Sequence, residues 1–198
     1  FNYCILCDYR CKISKKDVYF MDLRIEKTRA SIKNAFLQLR SKKPLEKITI
    51  KELSELAKIN KATFYLHYSD IYDLSENLER QVVWDCLKNV KNPKDILRDV
   101  RSFIRDLEDS FNENEHMIKI LFEGTRSSSF TTIFEQELHR IVAEGYPEYV
   151  PTLEDRMLTT FLIHGAYYTY FKYIDQGIKP VLKLIESLSD GIVHFENE

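Results

Sequence analysis

The stretch "KITIKELSELAKINKATFYLHYSD" (Lys47–Asp70) gathers several polar side chains just after a break between two short apolar patterns. Lys61, Thr63, Tyr65 and His67 are all hydrogen-bond donors or able to donate. Lys61 also falls at a helix N-terminus, where aligned peptide dipoles favour anions. The chemistry such a set suits is contact with a polyanion: hydroxyl and imidazole groups hold phosphate oxygens, and a lysine donates to guanine O6 and N7.

The flanking residues define the elements that must present this set. Thr49 followed by Glu52 spells a capping box, in which Thr49 accepts from the amide three residues on while Glu52 reaches back. Ile48 and Leu53 occupy the positions of a hydrophobic staple. Leu53, Leu56 and Ala57 are expected to face inward for two turns, and the pattern stops at Lys58–Ile59. Asn60, a strong N-cap type, starts a second helix at Lys61. There Phe64 and Tyr68, four apart, are expected to pack inward with Ile59, leaving the polar edge outside. Two helices of about two turns joined by a short turn describe a helix-turn-helix, whose second helix enters the DNA major groove by its N-terminal end. An ordinary α-hairpin with a solvated face shares the spacing. Tyr65 and Leu66 on the outward side favour the DNA reading, because an idle surface would carry Glu or Lys there.

At these residues the sequence resembles the TetR family of bacterial transcription regulators. The family pattern is roughly Thr, an Ile-Ala-like pair, a turn, and T-[LF]-Y-x-[HY]-F, here "TIKELSELAKINKATFYLHY". The resemblance covers about Leu23 to Leu74. It implies that Lys51 and Lys61 read base edges and that Thr63 touches a base or a phosphate. Thr49, Tyr65 and His67 would hold phosphates and Arg24 would add a flanking phosphate contact; Asn60, at the start of the reading helix, completes the expected DNA-binding set. Two positions depart from the pattern. Lys58 stands where the family usually has Gly, at a cost of up to ~1 kcal/mol if its φ is positive. Ile71 stands where a phosphate-contacting Lys is usual, and losing one such contact lowers the salt slope by about one unit.

The whole chain must carry this segment. Its 198 residues are 44% hydrophobic and contain only five glycines and five prolines, and helical periodicity recurs throughout. An all-α fold is expected. The net charge of -2 hides an asymmetry: residues 21–68 hold eleven Lys/Arg against five Asp/Glu, and residues 69–198 hold fourteen against twenty-four. A basic head on an acidic body points the head at a polyanion. The expected organisation is an N-terminal extension over 1–20, a three-helix DNA-binding head over 21–70, and a ligand-binding and dimerisation body over 71–198 made of about six helices. The first helix is expected over 22–41, with Ile25, Ile32, Phe36 and Leu39 on one face. A long helix is expected over 71–90, and further helices over 94–111, 115–123, 129–144, 152–176 and 180–195.

Within the body, the helix over 152–176 reads as apolar on nearly every side, from Phe161 and Leu162 through Ala166, Tyr167, Tyr168, Tyr170, Phe171 and Tyr173 to Ile174. Val181, Ile185, Leu188, Ile192 and Phe195 form a heptad-like seam. Core packing within one chain accounts for both. The resemblance implies instead that part of their surface pairs with a second copy as a four-helix bundle, giving a homodimer. It also implies a pocket for a small-molecule effector, for which Trp84, Phe103, Leu107, Met117, Leu121, Phe122, Phe134, His164 and Tyr168 are the candidate lining.

Other classes fare worse. Cys4, Cys7 and Cys11 crowd the N-terminus without a fourth ligand to complete a tetrahedron, so no metal and no cofactor is expected. The lack of paired cysteines elsewhere fits a reducing cytoplasm. "MLTTFLIHGAYYTYFKYI" is too short and interrupted to span a membrane, and "FNYCILCDYRCK" lacks the basic-then-apolar order of a leader. No Gly-rich phosphate loop, zinc spacing or nucleophile elbow is found, so the reading is not an enzyme. The function these residues point to is a ligand-responsive repressor that reads a palindromic operator on double-stranded DNA. Its rival is an interaction module or coactivator of the same architecture that has lost DNA reading.

Overall fold

The structure, a computed structural model, describes residues 15–96, 99–122, 127–173, 176 and 178–195. The Cys4, Cys7 and Cys11 cluster and residues 1–14 of the expected extension lie outside them. The described residues form eight α-helices with no strand. The chain divides into two compact units, Phe1–Ile71 and Tyr72–Glu198.

The first unit holds α1 (Lys15–Arg40), α2 (Ile50–Ala57) and α3 (Lys61–Tyr65). Helix α1 begins seven residues before the expected Asp22. Ile32, Ala35, Phe36 and Leu39 are buried on one stripe of α1, whereas Ile25 is partly exposed. Pro44 leads into a 3-10 turn at Leu45–Lys47, which buries Leu45. Helix α1 packs on α2, and α2 on α3.

The second unit follows through α4 (Ile71–Leu87), α5 (Val100–Leu121), α6 (Ser127–Gly145), α7 (Leu153–Lys172) and α8 (Ile178–Phe195). Five helices stand where about six were expected, because one continuous α5 replaces the pair at 94–111 and 115–123. The polar run "FNENEH" inside it contains no Gly or Pro to stop a helix. Asn114 donates to the Ser110 carbonyl at 2.7 Å, and Lys119 pairs with Glu115 one turn on at 3.0 Å. The start also moves. Asn92–Asp95 makes only a 3-10 turn at Pro93–Asp95, and Asp99 caps α5 by accepting from Ser102 N at 3.0 Å.

Helix α7 is not buried all round. Thr159, Ile163, Tyr167 and Tyr170 are buried, while Leu153, Met157, Phe161 and Tyr168 are exposed. At 100° per residue the two sets fall on separate sectors of the helix. A helix with one apolar stripe on the core and another on solvent reads in sequence as uniformly apolar. Helix α8 repeats the pattern: Val181 is buried, but Leu184 and Leu188 face out. The side chains of Ile192 and Phe195, the end of the expected seam, lie outside the described residues.

Candidate nucleic-acid interface

Thr49 has extended backbone (φ -109, ψ 147) and accepts from Glu52 N at 3.3 Å, so the threonine half of the expected box forms. Glu52 does not reach back. Its carboxylate is taken by the Lys43 ammonium from the preceding loop. A full charge outbids a backbone amide for a carboxylate. Ile48 and Leu53, the staple positions, are both buried.

The inward stripe of α2 differs from expectation by one residue. Leu53, Ser54 and Ala57 are buried, and Leu56 is exposed. Ile50, Leu53, Ser54 and Ala57 span a sector of about 100°, and Leu56 points away from its centre. The buried Ser54 hydroxyl has no hydrogen-bond partner among the described residues. Its carbonyl is used, since Ile59 N donates to it at 3.0 Å while Lys58 N donates to the Glu55 carbonyl at 3.3 Å. This pair of bonds is the Schellman ending, which needs a left-handed residue at the stop. Lys58 supplies it at φ 56, ψ 42, and no other described non-glycine residue has positive φ.

Asn60 then caps α3. Its Oδ1 accepts from Thr63 N at 2.6 Å and from Thr63 Oγ1 at 2.9 Å. The second bond commits the threonine proton, so Thr63 offers a partner its methyl group and oxygen lone pairs rather than a donor. Helix α3 is only five residues long, shorter than two turns, but Tyr68 N still donates to the Phe64 carbonyl at 3.0 Å just beyond it. Phe64 is fully buried and anchors α3, with the rings of Tyr65 and Tyr68 at 5.7 and 5.8 Å. Tyr68 and Ile59 are only half-buried.

Around this anchor the polar edge faces solvent. Arg24, Thr49, Lys51, Asn60 and Lys61 are exposed, Tyr65 is 56% and Leu66 82% exposed, and Thr63 and His67 are half-buried. Among the described residues, Lys51, Lys58 and Lys61 have no carboxylate partner. Two basic residues join the edge that the sequence reading had not placed there. One is Lys58 itself, exposed on the turn. The other is Arg29 on α1, whose charge, after burial, helps hold the His67 pKa below its usual value. Arg29 lies five residues past Arg24 on the same helix. Ile71, in contrast, is buried and has no charge to offer.

The body holds an apolar cavity of about 110 Å³ lined by Phe103, Leu107, Phe111, Phe134, Ile163, Tyr167 and neighbours on α5 to α8. Of the nine residues expected there, only Phe103, Leu107 and Phe134 line it. Leu121 and Phe122 are buried in the core instead, and Met117 is half-buried elsewhere. Trp84 is partly exposed beneath the Arg140 guanidinium, 5.3 Å from its ring centre. His164 and Tyr168 turn off the cavity, and Tyr167 and Tyr170 take their place. The choice follows from helical phase, since Ile163, Tyr167 and Tyr170 share the buried stripe of α7. Tyr170 donates to Glu115 at 2.7 Å, which, ahead of Lys119, pulls the Glu115 pKa down. The Tyr167 hydroxyl is buried without a partner among the described residues, and burial pushes its pKa well up.

Cys86 is fully buried, and that burial pushes its thiol up to about 12. It stays a thiol at neutral pH and is no nucleophile. No group of three or more potential metal ligands occurs among the described residues, and no described helix is long and apolar enough to cross a membrane. No protein-family model matches the chain, and no curated protein matches it.

Proposed function

We propose that α1, α2 and α3 form a helix-turn-helix head of TetR type, and that the protein is a ligand-responsive homodimeric repressor reading a palindromic operator. The observation that carries this reading is the arrangement of α3. Phe64 is sunk in the core, Asn60 fixes the helix start, Lys61 and Tyr65 are exposed, and Lys51 and Lys58 are exposed without a carboxylate partner among the described residues. An edge of this kind combines base-reading donors with phosphate-positioning groups.

One head makes few contacts for a specific site, and a dimer doubles them. The exposed stripe Leu153, Met157, Phe161 and Tyr168 on α7, with Leu184 and Leu188 on the adjoining α8, supports the pairing. Large apolar side chains exposed on two adjoining helices mark an interaction site. In the dimer two α3 helices about 34–36 Å apart would enter successive major grooves. An effector in the α5–α8 cavity would act through α4. Arg80 on α4 bonds Glu137 on α6 at 3.4 Å, and Trp84 one turn later lies under Arg140, which also bonds Glu137.

The test is retention of the gene's upstream DNA over a salt series. Affinity should fall linearly in log salt, and Lys61→Ala should cost about 1–3 kcal/mol of discrimination between operator and random duplex. Equal binding of both duplexes by the parent protein would sink the reading. A second reading, a protein-interaction module of the same architecture, is favoured by the burial of Ile71 and the exposure of Leu56. It predicts little DNA retention even at low salt.

A further inference from the structure

We infer that a second groove in the body, which shares only Ile96 with the α5–α8 cavity, binds a small organic anion with a short apolar body, such as an aliphatic carboxylate of a few carbons. The groove has a volume of about 230 Å³ and lies between the Pro93–Asp95 turn, the second half of α6, the Tyr149–Pro151 loop and the start of α7. Its floor is apolar, with Ile96, Leu138 and Val142 all buried. Its rim carries Lys94, His139 and Arg156.

The rim brings together two cations without an ion-pair partner among the described residues; Arg105, Lys172, Lys179 and Lys183 also lack one but do not line this groove. In the acidic body the cations Arg80, Lys88, Lys91, Lys119 and Arg140 each hold a carboxylate within ion-pair distance. Lys94 and Arg156 hold none among the described residues, although carboxylates outnumber cations over 69–198. Lys94 is instead positioned by the Tyr146 ring, with Nζ 4.3 Å from its centre. The one acidic residue in the lining, Asp155, is tied to the start of α7, where its Oδ2 accepts from Thr152 N at 2.8 Å. Its carboxylate therefore serves the helix cap rather than the rim cations.

Two unpaired cations above an apolar floor match an amphiphilic anion. An arginine takes a carboxylate in a two-point contact and a lysine adds a point charge, while the floor covers a hydrocarbon tail. Bare inorganic anions leave the floor unused. The volume is below the roughly 300–1,000 Å³ of drug-sized sites, which restricts the tail to a short chain or one ring.

Calorimetric titration of the full chain with hexanoate, hexanamide and hexylamine tests this without reference to DNA. Hexanoate should bind saturably, hexanamide at least about tenfold more weakly, and hexylamine not at all. Arg156→Gln should weaken hexanoate about tenfold, and Ala143→Trp, at an exposed position on the groove wall, should abolish it. Both substitutions are on the surface, and an unchanged circular dichroism spectrum and melting temperature will establish that each variant is folded. Absence of hexanoate binding, equal binding of hexanamide, or hexanoate affinity indifferent to both substitutions would overturn the inference.

Discussion

The two units solve the same problem, holding short apolar stripes against one another, by opposite means. Among the described residues of the first unit, the helix ends around the turn are fixed by neighbours within a few residues: Thr49 and Asn60 start helices, and the left-handed Lys58 ends one. In Tyr72–Glu198 long helices are held by partners far along the chain, such as Arg80 with Glu137 and Tyr170 with Glu115. The basic unit places its distinctive groups outside, on α3. The acidic unit places them in a cavity, in a groove, and on an apolar stripe. On the proposed function, local fixing would suit a surface that has to keep its shape against a rigid duplex. Long-range fixing leaves spaces between helices, and those spaces are where a small molecule can act.

Substitutions that separate neighbouring residues sharpen this contrast. The largest effect is expected from Phe64→Ala, which opens a cavity under α3 and should cost about 3–5 kcal/mol. Urea unfolding should show it, whereas Tyr65→Ala, one position on, should leave stability within about 0.5 kcal/mol and act only on DNA retention. If both destabilise equally, the outward edge of α3 is not a free surface. Next, Phe161→Glu on α7, where the ring is 65% exposed, should weaken self-association by about 2 kcal/mol or more with little loss of monomer stability. Sedimentation at several concentrations would read it, and an unchanged association constant would remove the dimer from the proposal.

A smaller gain is expected at the turn. Lys58→Gly relieves a left-handed lysine and should stabilise the first unit by about 0.5–1 kcal/mol, read as a raised urea midpoint. A loss of stability would mean that the lysine stem contributes packing that outweighs the strain.

The smallest effect concerns pH. Burial first, and then Arg29, keep His67 below its usual pKa in the free fold. The unfolded chain therefore binds the proton more readily, and stability should decline as pH falls from the unfolded value near 6.5. A phosphate beside His67 favours the charged form, so DNA binding should take up a proton and tighten on acidification through the same range. His67→Gln should flatten both slopes, and an unflattened DNA slope would place the proton elsewhere.

Legibility followed the same division. The start of α2 at Thr49, the stop at Lys58–Ile59 and the start of α3 at Asn60 were readable because caps and stops act within about four residues. The reading failed even there when a distant residue intervened. Lys43 drew Glu52 out of its box, and the phase of α2 buried Ser54 in place of Leu56. In the body the long helix expected over 71–90 is α4, and it buries Leu74, Leu78, Val82 and Leu87 at helical spacing. Of the nine candidate lining residues only Phe103, Leu107 and Phe134 line the α5–α8 cavity, because aromatic residues at helical spacing do not say which neighbour they will meet.

Sequence alone determined that the chain is helical, where the polar cluster after residue 60 begins, and that charge is divided between a basic first part and an acidic remainder. Those are consequences of periodicity, capping and composition, which need no partner. Tertiary structure alone decided which of the two apolar stripes on α7 meets the core, that Tyr167 and Tyr170 rather than His164 and Tyr168 line the cavity, and that Lys94 and Arg156 share a groove whose one carboxylate, Asp155, caps α7. Burial and charge pairing are properties of what a residue faces, and that is set only when distant helices come together.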